Sequence, residues 1–413
     1  MPAAAQDEAA AEEAVEQTAS RQLQGLEEIT VTARKRAEDL QAVPVSISTI
    51  TARDFENQSL QLFEDIQFQT PGLNIRQTVG RKHILGAMIR GFFELDSLIT
   101  TDPAIGFYID DIYSARISGT NMSLFDIDRI ETLKGPQGVL FGKNNIGGAI
   151  KVHSKQPDGT TGGFGRVRLG THGQTDFEGA VSFPIRAETL SARVAFLSHH
   201  RDGVSEHLSW PPDDALCGAG CLARAPANSV PDSFQNNALG GRVSLLYTPS
   251  DRFEALLQIQ RLRSREPDPN PAVAIAFDHN SLFLRTGIGA GWTPVDLLDR
   301  VLEDNEPWDS YTSFKGQVDL DVWAYTYNMT WDFDSFSIRS LSGWRKFTTD
   351  EVRDQDGTPW NLRHTASETG SRQFTQELQI NGTLFEDRLT YTSGVFWGNQ
   401  RTSYFEGSFG SLF

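Results

Sequence analysis

Cys217 and Cys221 are the only thiols in the 413-residue chain, and they are spaced C-x3-C. Two thiols so placed can cross-link or bind a metal. His207, Asp213 and Asp214 lie nearby, but their spacing fits no zinc pattern, so no metal site is read here. The pair is expected to close a small disulfide in a polar connection exposed to an oxidising compartment. Gly135, Gly138, Gly142, Gly147 and Gly148 make a glycine-rich stretch. It is not a phosphate loop, because Lys143 is followed by Asn144 and not by Ser or Thr. Glycines there permit tight turns and close backbone approach. Arg129 and Glu131 flank Ile130, which puts both charges on one face of a strand and the isoleucine on the other. An exposed pair of this kind stabilises by only ~0–1 kcal/mol, so burial decides its importance. Glu28-Ile29-Thr30-Val31-Thr32 is β-prone and follows a polar tail, which suits strand addition to the edge of a partner's sheet. No triad and no metal–water site is visible. These residues imply binding, not an enzyme, and no cofactor.

The elements that must carry these residues are mostly strands. Trp323, Tyr325, Tyr327, Met329, Trp331 and Phe333 alternate with Ala324, Thr326, Asn328, Thr330 and Asp332. That is a period of two over eleven residues, a strand with one apolar face. Eleven residues is about what a tilted strand needs to cross a bilayer, and aromatic residues at both ends suit interfacial girdles. The pattern recurs at Phe177–Phe183, Leu190–Phe196, Phe253–Ile259 and Leu389–Trp397, giving about nine strands from Phe164 onward. In a lipid-embedded barrel the apolar set faces out and the polar set lines the lumen. Connections at 183–189, 248–252, 332–335 and 383–388 are short, and those at 200–235, 264–314 and 348–371 are long and polar. Transmembrane barrels place short turns on one side of the membrane and long loops on the other.

The formal net charge is −17, which makes nucleic acid an unsuitable partner, because phosphate binding needs a basic surface. No run of about eighteen apolar residues exists, so a closed barrel is the one way left to span a membrane. Pro2-Ala3-Ala4-Ala5-Gln6 looks like the small-residue end of a signal peptide without its basic and apolar parts. Residues 7 to about 26 are too poor in large apolar side chains to anchor a core. Residues 38–153 differ again, with short apolar segments between glycines. Strands are expected around Val45–Ile50, Leu73–Arg76, Met88–Gly91, Ile105–Ile112, Ile130–Lys134 and Ala149–His153. A short helix is expected from Thr51, with Thr51 or Ser59 as cap. Phe63, Ile66 and Phe68 follow at roughly helical spacing, and Pro71-Gly72 ends that element.

A set of short motifs then occurs in order: Glu27-Glu28-Ile29-Thr30-Val31-Thr32-Ala33, Pro71-Gly72-Leu73, Ile89-Arg90-Gly91 and Tyr108-Ile109-Asp110-Asp111. The longest runs Ile127-Asp128-Arg129-Ile130-Glu131-Thr132-Leu133-Lys134-Gly135-Pro136-Gln137-Gly138-Val139-Leu140-Phe141-Gly142 and on through Asn145 to Ile150. Together they resemble the plug domain of TonB-dependent outer-membrane receptors. The resemblance implies an α+β plug domain followed by an antiparallel transmembrane β-barrel, of which about nine of about 22 strands are present. The implied divisions are a disordered tail 1–26, a TonB-box-like segment and linker 27–37, the plug 38–153, a linker 154–161 and a partial barrel 162–413.

The resemblance also assigns roles. Glu28, Ile29, Thr30, Val31 and Thr32 would bind TonB, the energised inner-membrane protein. Arg90, Arg129 and Glu131 would lock plug to wall. Arg81, Lys82 and His83 would suit an anionic ferric chelate, and Phe92 and Phe93 an apolar ligand. His199 and His200 are read as lumen or rim residues. The implied function is ligand-gated uptake of a scarce nutrient, most often a ferric siderophore, across the outer membrane of a Gram-negative bacterium by a protein monomeric when complete. Cobalamin, haem, carbohydrate and aromatic compounds stay open as cargo. The family's signal transducers carry a folded domain before the box, and none is expected in the short tail here. With nine strands the chain is expected to be a fragment that does not transport alone. A passive channel or adhesin would need neither box nor plug, and a soluble β-rich enzyme would show shorter strands.

Overall fold

The structure is a computed structural model that describes residues 30–32, 34–36, 38–58, 60, 62–78, 81–93, 101–115, 124–203, 236–267, 316–354, 364–386 and 388–409. The chain divides into two compact units, Met1–Ile47 and Ser48–Phe413. In the first, β1 (Thr30–Val31) pairs antiparallel with β2 (Glu38–Asp39), Thr30 opposite Asp39 and Val31 opposite Glu38. The Glu38 carboxylate accepts from Arg34 Nε at 2.8 Å and Arg36 Nε at 2.7 Å. Burial pushes its pKa up, but the Arg34 hydrogen bond and both guanidinium charges outweigh that and hold it below the usual value. Val31 is buried.

Apart from Ile47 at the boundary, the second unit holds a five-stranded sheet ordered β3 (Ile47–Thr51), β8 (Ile127–Lys134), β9 (Gly148–Ser154), β6 (Ile105–Ile109) and β7 (Ile112–Ser114). β6 and β9 are parallel, and β8–β9 and β6–β7 are antiparallel. A separate hairpin joins β4 (Leu73–Thr78) to β5 (Arg81–Ile89). Ile50, Phe63, Ile66, Leu73, Ile75, Ile89, Ile105, Phe107, Ile130, Ile150 and Val152 form the shared core. Helix α1 (Ala52–Asn57) starts at Thr51, whose hydroxyl accepts from the Asp54 N–H while the Asp54 carboxylate accepts from the Thr51 N–H, a complete capping box.

Two local expectations change. Phe63–Gln69 is a 3-10 helix, whose period of three buries Phe63 and Ile66 but turns Phe68 to solvent. The continuous strand expected over Ile105–Ile112 is a hairpin. Asp110 and Asp111 adopt φ of 49° and 66°, the left-handed region that Asp tolerates better than most residues, and reverse the chain between β6 and β7.

From residue 162 onward nine antiparallel strands follow in strict sequence order, and the first and last are not paired, so the described sheet is open. They are β10 (Gly162–Leu169), β11 (Thr175–Arg186), β12 (Leu190–Arg201), β13 (Asn236–Ser250), β14 (Phe253–Pro267), β15 (Gln317–Asp332), β16 (Phe336–Asp354), β17 (His364–Leu384) and β18 (Leu389–Phe409). The turns after β11, β13, β15 and β17 lie at one end of the sheet. The longer connections after β12, β14 and β16 lie at the other, as does the short β10–β11 turn. Phe177, Val181, Phe196, Leu257, Tyr325, Trp331 and Trp397 are exposed on the outer face. Asp176, Glu178, Arg193, Arg242 and Gln258 are buried on the inner face. That face is not uniformly polar as expected. Leu262, Leu320, Val322 and Phe347 also point inward and pack with Ile109 of the plug sheet, because this stretch of wall meets protein and not water.

Candidate functional site

Strand direction fixes which end of the plug faces the longer connections. Along β16 the plug touches Arg339 through Asp111, Gly343 through Ile112 and Arg345 through Ser114. β7 therefore advances with β16 toward the longer connections. β6 runs against β7, β9 runs with β6 and β8 runs against β9. The start of β6, the end of β8, the start of β9 and the 135–147 segment between them all lie at that end. Asp126 agrees, since it precedes β8 and meets Arg193 near the turn end of β12.

This end is apolar and exposed. Phe92, Phe93, Val139 and Ile146 stand open to solvent, beside Lys143, which pairs with Asp102 at 3.5 Å. A hydrogen-bonded framework lies below it. Asn145 is buried and donates through Nδ2 to the Lys143 carbonyl at 2.7 Å and the Tyr108 hydroxyl at 3.0 Å. Tyr108 donates to the Phe141 carbonyl at 3.0 Å, and Asn144 Nδ2 donates to the Tyr113 hydroxyl at 2.6 Å. Burial pushes the Tyr108 phenol well up, so it remains a donor. Gly147 is required by close approach: a Cβ there would stand 2.5 Å from Phe92 Cβ and 2.6 Å from Ile105 Cδ1.

The plug is tied to the wall by buried charge. Asp126 binds Arg193 through both oxygens, with Arg193 Nε at 2.9 Å, and binds Arg242 at 3.2 Å. Arg242 also donates to the Asp126 carbonyl at 2.6 Å and lies 4.9 Å from the Phe125 ring centroid. The Asp126 N–H donates to Glu178 at 3.2 Å. A second tie runs through Asp111, which pairs with Arg339 of the wall at 2.7 Å and with Lys151 at 2.8 Å. Lys151 reaches Glu131 at 3.8 Å, and Glu131 holds His153 at 3.3 Å and Arg129 at 2.9 Å. Burial opposes ionisation of Asp111 and Glu131. The charges of Lys151 and Arg339 outweigh it at Asp111, which stays well below the usual range. The His153 hydrogen bond and the charges of Lys151, His153 and Arg129 bring Glu131 to about 2. Gln373 closes the seam as an uncharged clasp, accepting from the Ala115 N–H at 2.9 Å and donating to the Tyr113 carbonyl at 2.5 Å.

The residues named from sequence fall in several places. Phe92 and Phe93 lie in the exposed end. Arg81, Lys82 and His83 open β5, and their side chains lie outside the described residues. Arg129 and Glu131 pair with one another and with Asp128, Lys151 and His153, all within the plug. Arg90 sits exposed at φ 51°, and its charge helps depress the neighbouring Lys134, after burial. The ion pairs to Arg193, Arg242 and Arg339 belong to Asp126 and Asp111, which sequence reasoning gave no role. The signal for Asp111 was its place in the Tyr108–Asp111 motif, whereas Asp126 carried none. Val139 and Ile146, isolated aliphatics in a glycine-rich run, are the sequence cue to this exposed apolar tip. Thr30 and Val31 form β1, Thr32 follows it, and Glu28, Ile29, Cys217 and Cys221 lie outside the described residues. His199 is inward and pairs with Asp176 at 2.5 Å, and His200 is at the exposed rim.

Residues 39–149 match the family model described as TonB-dependent Receptor Plug Domain. Over 187 residues the chain is 27% identical to the pesticin receptor of Yersinia pestis, covering 45% of this chain and 27% of that protein. Over 157 residues it is 27% identical to the vitamin B12 transporter BtuB of Vibrio vulnificus, covering 38% of this chain and 25% of that one. Its fold is similar to the ferric yersiniabactin uptake receptor FyuA of Yersinia pestis, with a TM-score of 0.70 at 19% identity, over 90% of this chain and 50% of that chain. The siderophore receptor PiuA of Acinetobacter baumannii gives 0.65 at 18% identity, over 92% and 48%. The chain spans about half the length of these solved structures, and the matched regions cover about a quarter of the curated relatives.

Proposed function

We propose that this chain, which carries a plug domain of the TonB-dependent receptors followed by strands resembling part of their barrel, belongs to an energy-coupled importer of the Gram-negative outer membrane. Its cargo in this reading is a ferric siderophore, gathered on the longer-connection side by the exposed Phe92, Phe93, Val139 and Ile146 with Arg81, Lys82 and His83. The observation that carries the reading is this apolar plug end, held toward the longer connections by the Asp126 and Asp111 ties. Glu28–Thr32 serves as the TonB-binding strand. Ligand binding shifts the population in which that strand is offered to TonB, a coupling between two sites. The pairing of β1 with β2 supports this, because the same backbone edge can pair either internally or with a partner. No covalent step is involved.

The test is uptake of labelled ferric siderophores in an iron-starved host without receptors of its own, using the protein expressed from its whole gene. Ile29→Pro removes a strand donor and is expected to abolish uptake. Undiminished uptake by that variant would refute energy coupling through this segment. Absence of uptake from a folded protein across the panel would move the cargo toward cobalamin, which the resemblance to the vitamin B12 transporter favours next.

A further inference from the structure

The outer face of the sheet carries a feature that the import reading leaves unused. On β15–β17 the outward aromatic residues Tyr325, Trp344 and Phe374 are direct cross-strand neighbours. One outward step nearer the longer connections, Trp323 stands opposite Lys346, Lys346 opposite Arg372 and Arg372 opposite Arg401. Three cations on three consecutive strands thus face one another directly. They point outward, since the alternate residues Arg345 and Gln373 are buried and bonded to the plug at Ser114 and Ala115. Among the described residues no carboxylate pairs with Lys346, Arg372 or Arg401. The outward carboxylates Asp350 and Glu368 lie four residues farther along their strands, roughly 13 Å away, and Asp321, diagonal to Lys346, is engaged by Arg261 and Arg263 of β14. By contrast Arg261 and Arg265, which extend the belt on β14, are matched by Asp321 at 2.8 Å and Asp319 at 2.6 Å.

Like charges directly opposite one another destabilise an antiparallel pair. A ladder of three is stable when an anion lies across it. The position defines that anion. Aromatic girdles mark the membrane interface, and the cations sit just beyond one, where lipid headgroups lie. Long Lys and Arg stems lie along apolar surface and carry their charge to that level. From Lys346 to Arg401 the ladder spans about 10 Å across two strand spacings, enough to engage more than one phosphate. We propose that Lys346, Arg372 and Arg401 bind the phosphates of a phosphorylated glycolipid headgroup in the outer leaflet, with Trp323 and Trp344 packing beneath it. This rests on the outer-membrane placement proposed above.

The experiment is native mass spectrometry of the protein expressed from its whole gene and extracted from outer membranes. The probes are a bisphosphorylated acylated glycolipid, phosphatidylglycerol and inorganic phosphate. The triple variant Lys346→Gln/Arg372→Gln/Arg401→Gln is expected to bind the glycolipid roughly a hundredfold more weakly. Arg372→Gln alone is expected to lose about fivefold, which keeps the test informative if the triple variant fails to fold. Arg186→Gln/Arg252→Gln/Arg388→Gln removes equal charge at the turn end and should bind as the parent does. Equal affinity of parent and triple variant overturns the proposal. So does an equal loss in the turn-end variant, or occupancy by inorganic phosphate that displaces the glycolipid. Uptake in the same cells separates the two ideas: if the parent is absent from the outer membrane both fall, and if it imports but its lipid binding ignores the three cations, only this one does.

Discussion

Asp126 holds two buried arginines of the wall, and its worth follows from what its loss would strand. Arg193 and Arg242 are only 5% and 4% exposed, so Asp126→Ala would leave two buried guanidinium groups without their shared anion. The expected cost is about 3–5 kcal/mol. Asp128→Ala, at a half-exposed position, should cost under about 1 kcal/mol. Denaturant melts followed by protease sensitivity of the plug would measure both, and equal losses would discredit the clasp. Glu131 gives the pH dependence. Its folded value of about 2 lies below the ordinary 4.5, so the unfolded chain takes up protons first as acid is added. The stabilisation is whole above about pH 4.5 and disappears as pH falls through about 2, on the order of 3 kcal/mol in all. Plug protection should therefore be flat from pH 7 to 5 and decline only below that range in the parent, while Glu131→Gln should flatten the decline. A midpoint near pH 6 would show that Glu131 is not the controlling group.

Hairpins and loops decide which of these residues meet, and here the chain was legible to different depths. The wall was plain because a period of two over long segments has no competing explanation, and Trp323–Asp332 falls inside β15, with Phe333 the first residue beyond it. The plug strands were visible as apolar runs, but the reversal at Asp110–Asp111 was hidden, since nothing in an Asp-Asp pair distinguishes a strand's polar positions from a left-handed turn. The inward Leu262, Leu320, Val322 and Phe347 were equally hidden, because alternation cannot reveal that the lumen is filled at that level. Arg129 and Glu131 were correctly placed on one face, yet their partners Lys151 and His153 come from the neighbouring strand, a matter of register that no local pattern carries. The 135–147 loop gives an element-scale prediction. Gly147→Ala would drive a methyl against Phe92 and Ile105, and relief requires Phe92 to move. A loss of about 1–3 kcal/mol is expected, together with weaker ligand binding because the apolar tip shifts. Titration of ligand fluorescence quenching would detect it, whereas unchanged affinity beside lowered stability would remove Phe92 from the binding surface.

The arrangement of the whole second unit sets the order in which force would take it apart. A pull from the N-terminal side first loads β3, which is the edge strand of the plug sheet, then α1, the 3-10 helix and the β4–β5 hairpin. Among the described residues this stretch meets the wall through Glu56 and Arg166, 2.9 Å apart, with Glu56 well exposed. Such a pair contributes ~0–1 kcal/mol and would yield early. β6 and β7 come next in the chain, but β6 lies between two partners and Asp111 fastens its turn to Arg339. β8 follows behind the Asp126 clasp. Extraction should therefore pause after residues 48–104 are released, a contour of roughly 200 Å at about 3.5 Å per residue. Single-molecule pulling on the protein in a membrane would record that step. Asp111→Asn should merge it with the next event, since the charge holding the β6–β7 turn to the wall is gone, while Glu56→Gln should leave it in place. Release of the entire plug in a single event from the parent would show instead that the two halves share one cooperative core, which the packing of Ile50, Phe63, Leu73 and Ile89 against Phe107, Ile130 and Ile150 makes the serious competitor.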